Sequence, residues 1–121
     1  MGESASTTLE KLRGPTRALR AVIPGVYKGF GQMHDAALAD GALDRTTKEL
    51  IALTIAVVKG CDGCMGYHAK ALAKLGATRE QVAEAIGVAV VMDGGPAASG
   101  HGPEAYAAFC EFDDQEHPDR T

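Results

Sequence analysis

At 121 residues, with 45% hydrophobic side chains, no tryptophan and only three tyrosines and three phenylalanines, the chain has room for one domain with a core of modest size, and a second domain is not expected. A formal net charge of −4 and a pI near 5.5, with lysines and arginines scattered, leave no cationic footprint for nucleic acid or an anionic membrane. The longest apolar run, Leu50 to Val58, is well short of the roughly 20 residues a spanning helix needs, and the polar start Gly2 to Thr8 has no apolar leader core, so a soluble, cytoplasmic protein is expected.

Nowhere does a period-two alternation of apolar residues persist, and the chain divides instead into helix-length segments with recognisable ends. The expectation is an all-α single-domain bundle of about six helices. Residues 1–8 are read as a flexible start, 9–112 as the helical domain and 113–121 as a frayed acidic tail that also holds His117. The first helix is predicted from about Leu9 to Leu19, with Gly14-Pro15 obscuring its start and Pro24-Gly25 breaking the chain after it. A second runs from about Pro24 to Ala39, where Val26, Phe30, Met33 and Ala37 recur at helical spacing.

Thr46 and Glu49 fit a capping box opening a third helix, whose run to Val58 is apolar almost all round and so is expected to be central and buried. Lys59-Gly60 ends it. The next helix carries Cys61, Cys64, Leu72 and Leu75 and stops at Gly76, a residue suited to a left-handed C-terminal position. Thr78 and Gln81 form a second capping box before a helix with Val82, Ala85, Ile86, Ala89 and Val90 on one face. Asp93-Gly-Gly-Pro96 is a break, and residues from about Ala97 to Phe112 are helical around an interruption at Gly100 to Pro103.

The chemistry concentrates in Cys61-Asp-Gly-Cys64-Met-Gly-Tyr-His68. On a helix Cys61, Cys64 and His68 share one face, with His68 one turn beyond Cys64. Helical Cβ atoms three residues apart are about 5–6 Å apart, whereas a disulfide wants about 3.5–4.5 Å. A Cys61–Cys64 bond is therefore expected to be strained and labile, a working couple rather than a staple. A helix start beside Lys59-Gly60 favours a thiolate, His68 can take the Cys64 proton, and Asp62 works the other way. Glu49 could hold His68 in one tautomer and carry protons away, although its place in the capping box explains it without catalysis.

Other readings of these residues compete. A c-type haem needs histidine immediately after the second cysteine, and Met65 stands there. A zinc site could use Cys61, Cys64 and His68 with His34, His101 or Glu49 as fourth ligand, which would make the protein a metal-binding or redox-sensing module without turnover. A thioredoxin-type pair would sit in a βαβ setting, and nothing before Cys61 reads as a strand. His34 and His101 have no partner visible in the sequence, Met65 and Tyr67 are read as packing residues, and Cys110 is read as a small hydrophobe.

Glu49 followed by Cys61-x-x-Cys64-x-x-x-His68 resembles the signature of alkyl hydroperoxidase D-like proteins of the carboxymuconolactone decarboxylase family, and the likeness runs from about Asp40 to Pro96. The resemblance implies an all-helical homo-oligomer, a trimer or hexamer, without a cofactor. It implies that Glu49 and His68 relay a proton from Cys64, after which Cys61 closes the disulfide. The substrate would be an organic hydroperoxide or a disulfide, with a peroxiredoxin or lipoyl-type dithiol as partner. Some members carry histidine just before the second cysteine; Gly63 stands there, which implies slower thiol activation. Members that decarboxylate a muconolactone-type acid lack the paired cysteines, so the CxxC argues against that further alternative.

Overall fold

The computed structural model describes residues 3–120 and consists of six α-helices with no strand among the described residues. They are α1 (Ala5–Val22), α2 (Pro24–Leu38), α3 (Arg45–Lys59), α4 (Asp62–Leu75), α5 (Arg79–Asp93) and α6 (Gly102–Glu116). A π-helical turn, Ala97–His101, leads into α6, and a 3₁₀ turn, Pro118–Arg120, follows it. The all-α bundle expected from the periodicity is thus the fold.

Helix α4 lies between α3 and α6, and α5 closes the bundle against α3 and α6. Leu53 and Val57 of α3, Leu72 of α4, Val82 of α5 and Phe109 of α6 are fully buried where these helices meet. Each such side chain contributes roughly 1.5–3 kcal/mol by leaving water, so this cluster fixes where the start of α4 sits. Helix α1 crosses the first turns of α4. Its Leu9 and Leu12 lie over Gly66 and Gly63, where an added Cβ would come within 3.1 Å and 2.9 Å of them.

Three boundaries differ from the sequence reading, each for a tertiary reason. Helix α1 starts at Ala5 and passes through Pro15, because Ser4 caps it and the Ala5 and Ser6 amides donate to the Glu111 carboxylate on α6. Those donors are the ones a helix start leaves unpaired, and a side chain distant in sequence satisfies them. Helix α3 is capped by Asp44, whose carboxylate accepts from the Thr47 amide at 2.7 Å, so the expected Thr46–Glu49 box does not form. The Thr78–Gln81 box of α5 forms as expected.

The expected frayed tail is the third difference, since α6 continues to Glu116 and Asp113 is buried. The Asp113 carboxylate accepts from Arg79 at 3.0 Å and Arg120 at 2.6 Å, and His117 Nε2 lies 3.0 Å from the Ala73 carbonyl. Burial alone would push the Asp113 carboxyl up, but the hydrogen bonds and charges of the two arginines outweigh it and hold it below its ordinary 3.8. A depressed carboxyl stabilises the fold above its unfolded value and loses that contribution as pH falls through the folded value. Asp113→Asn is accordingly expected to cost about 1–2 kcal/mol at neutral pH, both arginines being partly solvated, and the gap to wild type should close below about pH 4. Thermal midpoints of both proteins against pH check this, and a gap that persists at pH 2 would contradict it.

Two apolar faces do not turn inward. Helix α3, expected to be buried all round, exposes Ile51, Ile55 and Val58. The predicted stripe of α2 is present, yet Val26, Phe30 and Met33 face away from this chain's core and only Leu38 is buried.

Candidate functional site

Lys59 is the last residue of α3, and Gly60 follows with φ 67°, a left-handed conformation that a side chain would strain. The chain thereby reverses into α4 within a single turn. Cys61 is the N-cap of α4, with extended backbone (φ −94°, ψ 99°), and its Sγ accepts from the Cys64 amide at 3.3 Å. An amide aimed at sulfur from the positive end of a helix favours a thiolate there. Cys64 lies in the first turn and is exposed, whereas Cys61 is half-buried.

The two sulfurs are bonded, with Cα atoms 5.2 Å apart. That spacing is ordinary for a disulfide. The strain expected for two helical cysteines presupposes that both are helical, and Cys61 stands outside the helix as its cap.

His68 sits one turn beyond Cys64 and is partly buried. Its Nδ1 lies 2.7 Å from Oε1 of Glu49, which projects from the second turn of α3 and is 1% exposed. Arg45, one turn before Glu49, approaches the other carboxylate oxygen at 3.5 Å. A carboxylate oxygen can only accept, so the geometry has Nδ1–H donating to Glu49 and turns Nε2 away from it. Glu49 is therefore no cap. It is a buried carboxylate hydrogen-bonded to His68, and the four sequence-predicted residues form two pairs on adjoining turns, Cys61 with Cys64 and His68 with Glu49.

His101 had no partner visible in the sequence, but it lies against the same reversal. A Cβ on Gly60 would come within 2.8 Å of its Nε2, and its Nδ1 is 3.1 Å from Glu104 Oε1. The signal available beforehand was the His101–Glu104 spacing at the start of a helix. Asp62, His101 and Glu104 bring one polar atom each within 4.8 Å of one another; with both carboxylates exposed, the trio is a solvated polar cluster. The ligand set of the zinc reading is engaged otherwise, the sulfurs with each other and His68 with Glu49. His34 stands apart on α2, its Nδ1 3.6 Å from Asp35.

A cleft of about 570 Å³ runs beside the reversal, between Asp62, Met65 and Gly66 of α4 and Glu104 and Glu111 of α6, with Glu3 at its edge. Met65 is buried at its floor and Tyr67 is half exposed. At Gly63, just before Cys64, the tip of Leu12 occupies the space a Cβ would enter.

Residues 24–102 match the carboxymuconolactone decarboxylase family. An uncharacterised protein from Cupriavidus necator is 38% identical over 98 residues, covering 81% of this chain and 87% of that one. The crystal structure of an apo carboxymuconolactone decarboxylase family protein from Legionella pneumophila superposes with a TM-score of 0.86 at 43% identity, covering 90% of this chain and 96% of the other. An alkyl hydroperoxide reductase AhpD from Mycobacteroides abscessus is 35% identical over 57 residues, which span 47% of this chain and 33% of that protein.

Proposed function

The chain belongs to the carboxymuconolactone decarboxylase family, and from that premise we propose that it is a thiol-dependent oxidoreductase that reduces an organic hydroperoxide, or exchanges with a disulfide, through Cys64 and Cys61. The observation that carries this reading is the buried Glu49 hydrogen-bonded to His68 one turn below an exposed Cys64 that is already paired with Cys61. The part-length likeness to alkyl hydroperoxide reductases supports it.

In the oxidative step the Cys64 thiol gives its proton to His68 Nε2, and the thiolate attacks the outer peroxide oxygen. The S–O bond forms, the O–O bond breaks, and the alkoxide takes the proton as an alcohol, leaving Cys64 as a sulfenic acid. Cys61 then displaces the sulfenic oxygen, which leaves as water, and the disulfide closes. A dithiol of the lipoyl or peroxiredoxin type reduces it by exchange and is itself oxidised. Glu49 contributes by stabilising the imidazolium that forms at His68.

The test is to treat the reduced protein with one equivalent of an organic hydroperoxide, alkylate the free thiols and map the cysteines by peptide mass. A Cys61–Cys64 disulfide with Cys110 still free is expected, and three alkylated thiols would overturn the reading.

The reading includes self-association as a trimer or hexamer. Val26, Phe30 and Met33 on α2, and Val88, Val91 and Met92 on α5, are more than half exposed, an extent of apolar surface that monomers seldom carry. Sedimentation of the purified chain at the mass of a single copy would remove this part.

A further inference from the structure

The disulfide has two ends, and in the reading above the Glu49–His68 pair serves Cys64. At the other end the same arrangement recurs. Glu104 Oε1 lies 3.1 Å from His101 Nδ1, as Glu49 Oε1 lies 2.7 Å from His68 Nδ1. In both, the carboxylate is placed to accept from Nδ1–H, an orientation that leaves Nε2 as the ring nitrogen facing away from it. The Nε2 of His101 is the atom closest to Gly60, 2.8 Å from where a Cβ would stand, so the ring rests on the backbone immediately before Cys61. Its ring is also within 4.8 Å of the Asp62 carboxylate immediately after Cys61. The imidazole thus spans the residue on either side of the half-buried thiol.

We propose that His101, oriented by Glu104, is the positioning residue for Cys61, setting how readily that thiol ionises to close the disulfide or leaves when the disulfide is reduced. The inference rests on the thiol reading above but not on the identity of the oxidant.

The charges around the reversal make the assignment specific. Lys59 ends α3, Asp62 opens α4, Glu104 lies in the first turn of α6, and Glu3 and Glu111 line the adjoining cleft. Carboxylates outnumber cations here, and a negative field opposes a second anion on Cys61. His101 is the group within this set that can add positive charge on taking a proton. When Cys61 closes the disulfide, its S–H proton is lost, its sulfur bonds to the Cys64 sulfenic sulfur, and the S–O bond breaks. The hydroxyl leaves as water with the released proton. An imidazole that carries positive charge while this happens lowers the cost of the Cys61 thiolate, and it eases departure of the same thiolate when an external dithiol attacks Cys64.

Reduced protein in a Cys64→Ser background isolates Cys61, and its alkylation by iodoacetamide against pH, resolved by peptide mass, reads its ionisation directly. His101→Gln and His101→Asn both keep a polar side chain at a partly solvated position. Each is expected to move the Cys61 profile to higher pH and slow its alkylation at neutral pH about tenfold, the equivalent of one pKa unit. Cys110, farther along α6, should be unchanged and serves as the internal reference. Asp62→Asn is expected to move Cys61 in the opposite direction, which general loosening of the turn would not do. A Cys61 profile unchanged in both His101 variants, or a shift shared equally by Cys110, overturns the proposal. Because no peroxide is used, failure here is separate from failure of the peroxidase reading.

Discussion

Cys64→Ser is expected to abolish hydroperoxide turnover, a loss of roughly a thousandfold or more, because no neighbouring group can replace the atom that forms the covalent intermediate. The two cysteines are not equivalent. Cys64 is exposed and has the Glu49–His68 pair behind it, whereas Cys61 is half-buried as the helix cap. Under the proposed mechanism a peroxide is therefore expected to meet Cys64 first. Cys61→Ser should consume a single equivalent and stall as a sulfenic acid, trappable with a dione reagent, then advance slowly to the sulfinic acid that a resolving thiol normally prevents. Rapid mixing with the hydroperoxide followed by whole-protein mass distinguishes the two variants. Undiminished cycling in Cys64→Ser would remove the mechanism.

For Glu49→Gln the expected fall in kcat/KM is about a hundredfold, the usual scale for disabling a proton-transfer pair. Glutamine keeps the size of the buried side chain but not its charge, and it can present an NH₂ group to His68 Nδ1, which would favour the wrong tautomer. A helix cap would tolerate this replacement with little effect on rate, so the experiment separates the two explanations that the sequence allows for Glu49. The variant is also expected to lose about 1–3 kcal/mol of stability, since His68 and Arg45 both address this carboxylate. Steady-state kinetics beside a thermal melt supply both readouts, and a rate within twofold of wild type would leave Glu49 a structural role only.

Helix α3 was expected to be buried all round and exposes Ile51, Ile55 and Val58, because an apolar pattern reports that a surface exists and not what covers it. Val82, Ile86 and Ala89 turn into the core as their spacing suggests. Phe30 and Met33 have equally regular spacing, and they point away from it. The acidic end was misjudged for a related reason. Asp113 is a charged residue in an apolar-poor stretch, and its burial depends on Arg79 and Arg120 converging on it from α5 and the final turn. Local composition cannot register such a pairing.

Local grammar by itself determined the helical class, the Thr78–Gln81 cap, the stops at Gly60 and Gly76, and the motif of Cys61, Cys64 and His68, because each depends on residues within a turn or two of one another. Only the tertiary structure decided that Glu49 faces His68 across two helices and is no cap, since Asp44 took the cap and the packing of α3 on α4 carried the carboxylate inward. It alone brought His101 and Glu104 to the Cys61 side, as the start of α6 folds back onto the turn between α3 and α4. The physical reason is the same in both cases. A helix fixes the face on which a side chain projects, but which helix lies opposite that face is set by the burial of the whole core.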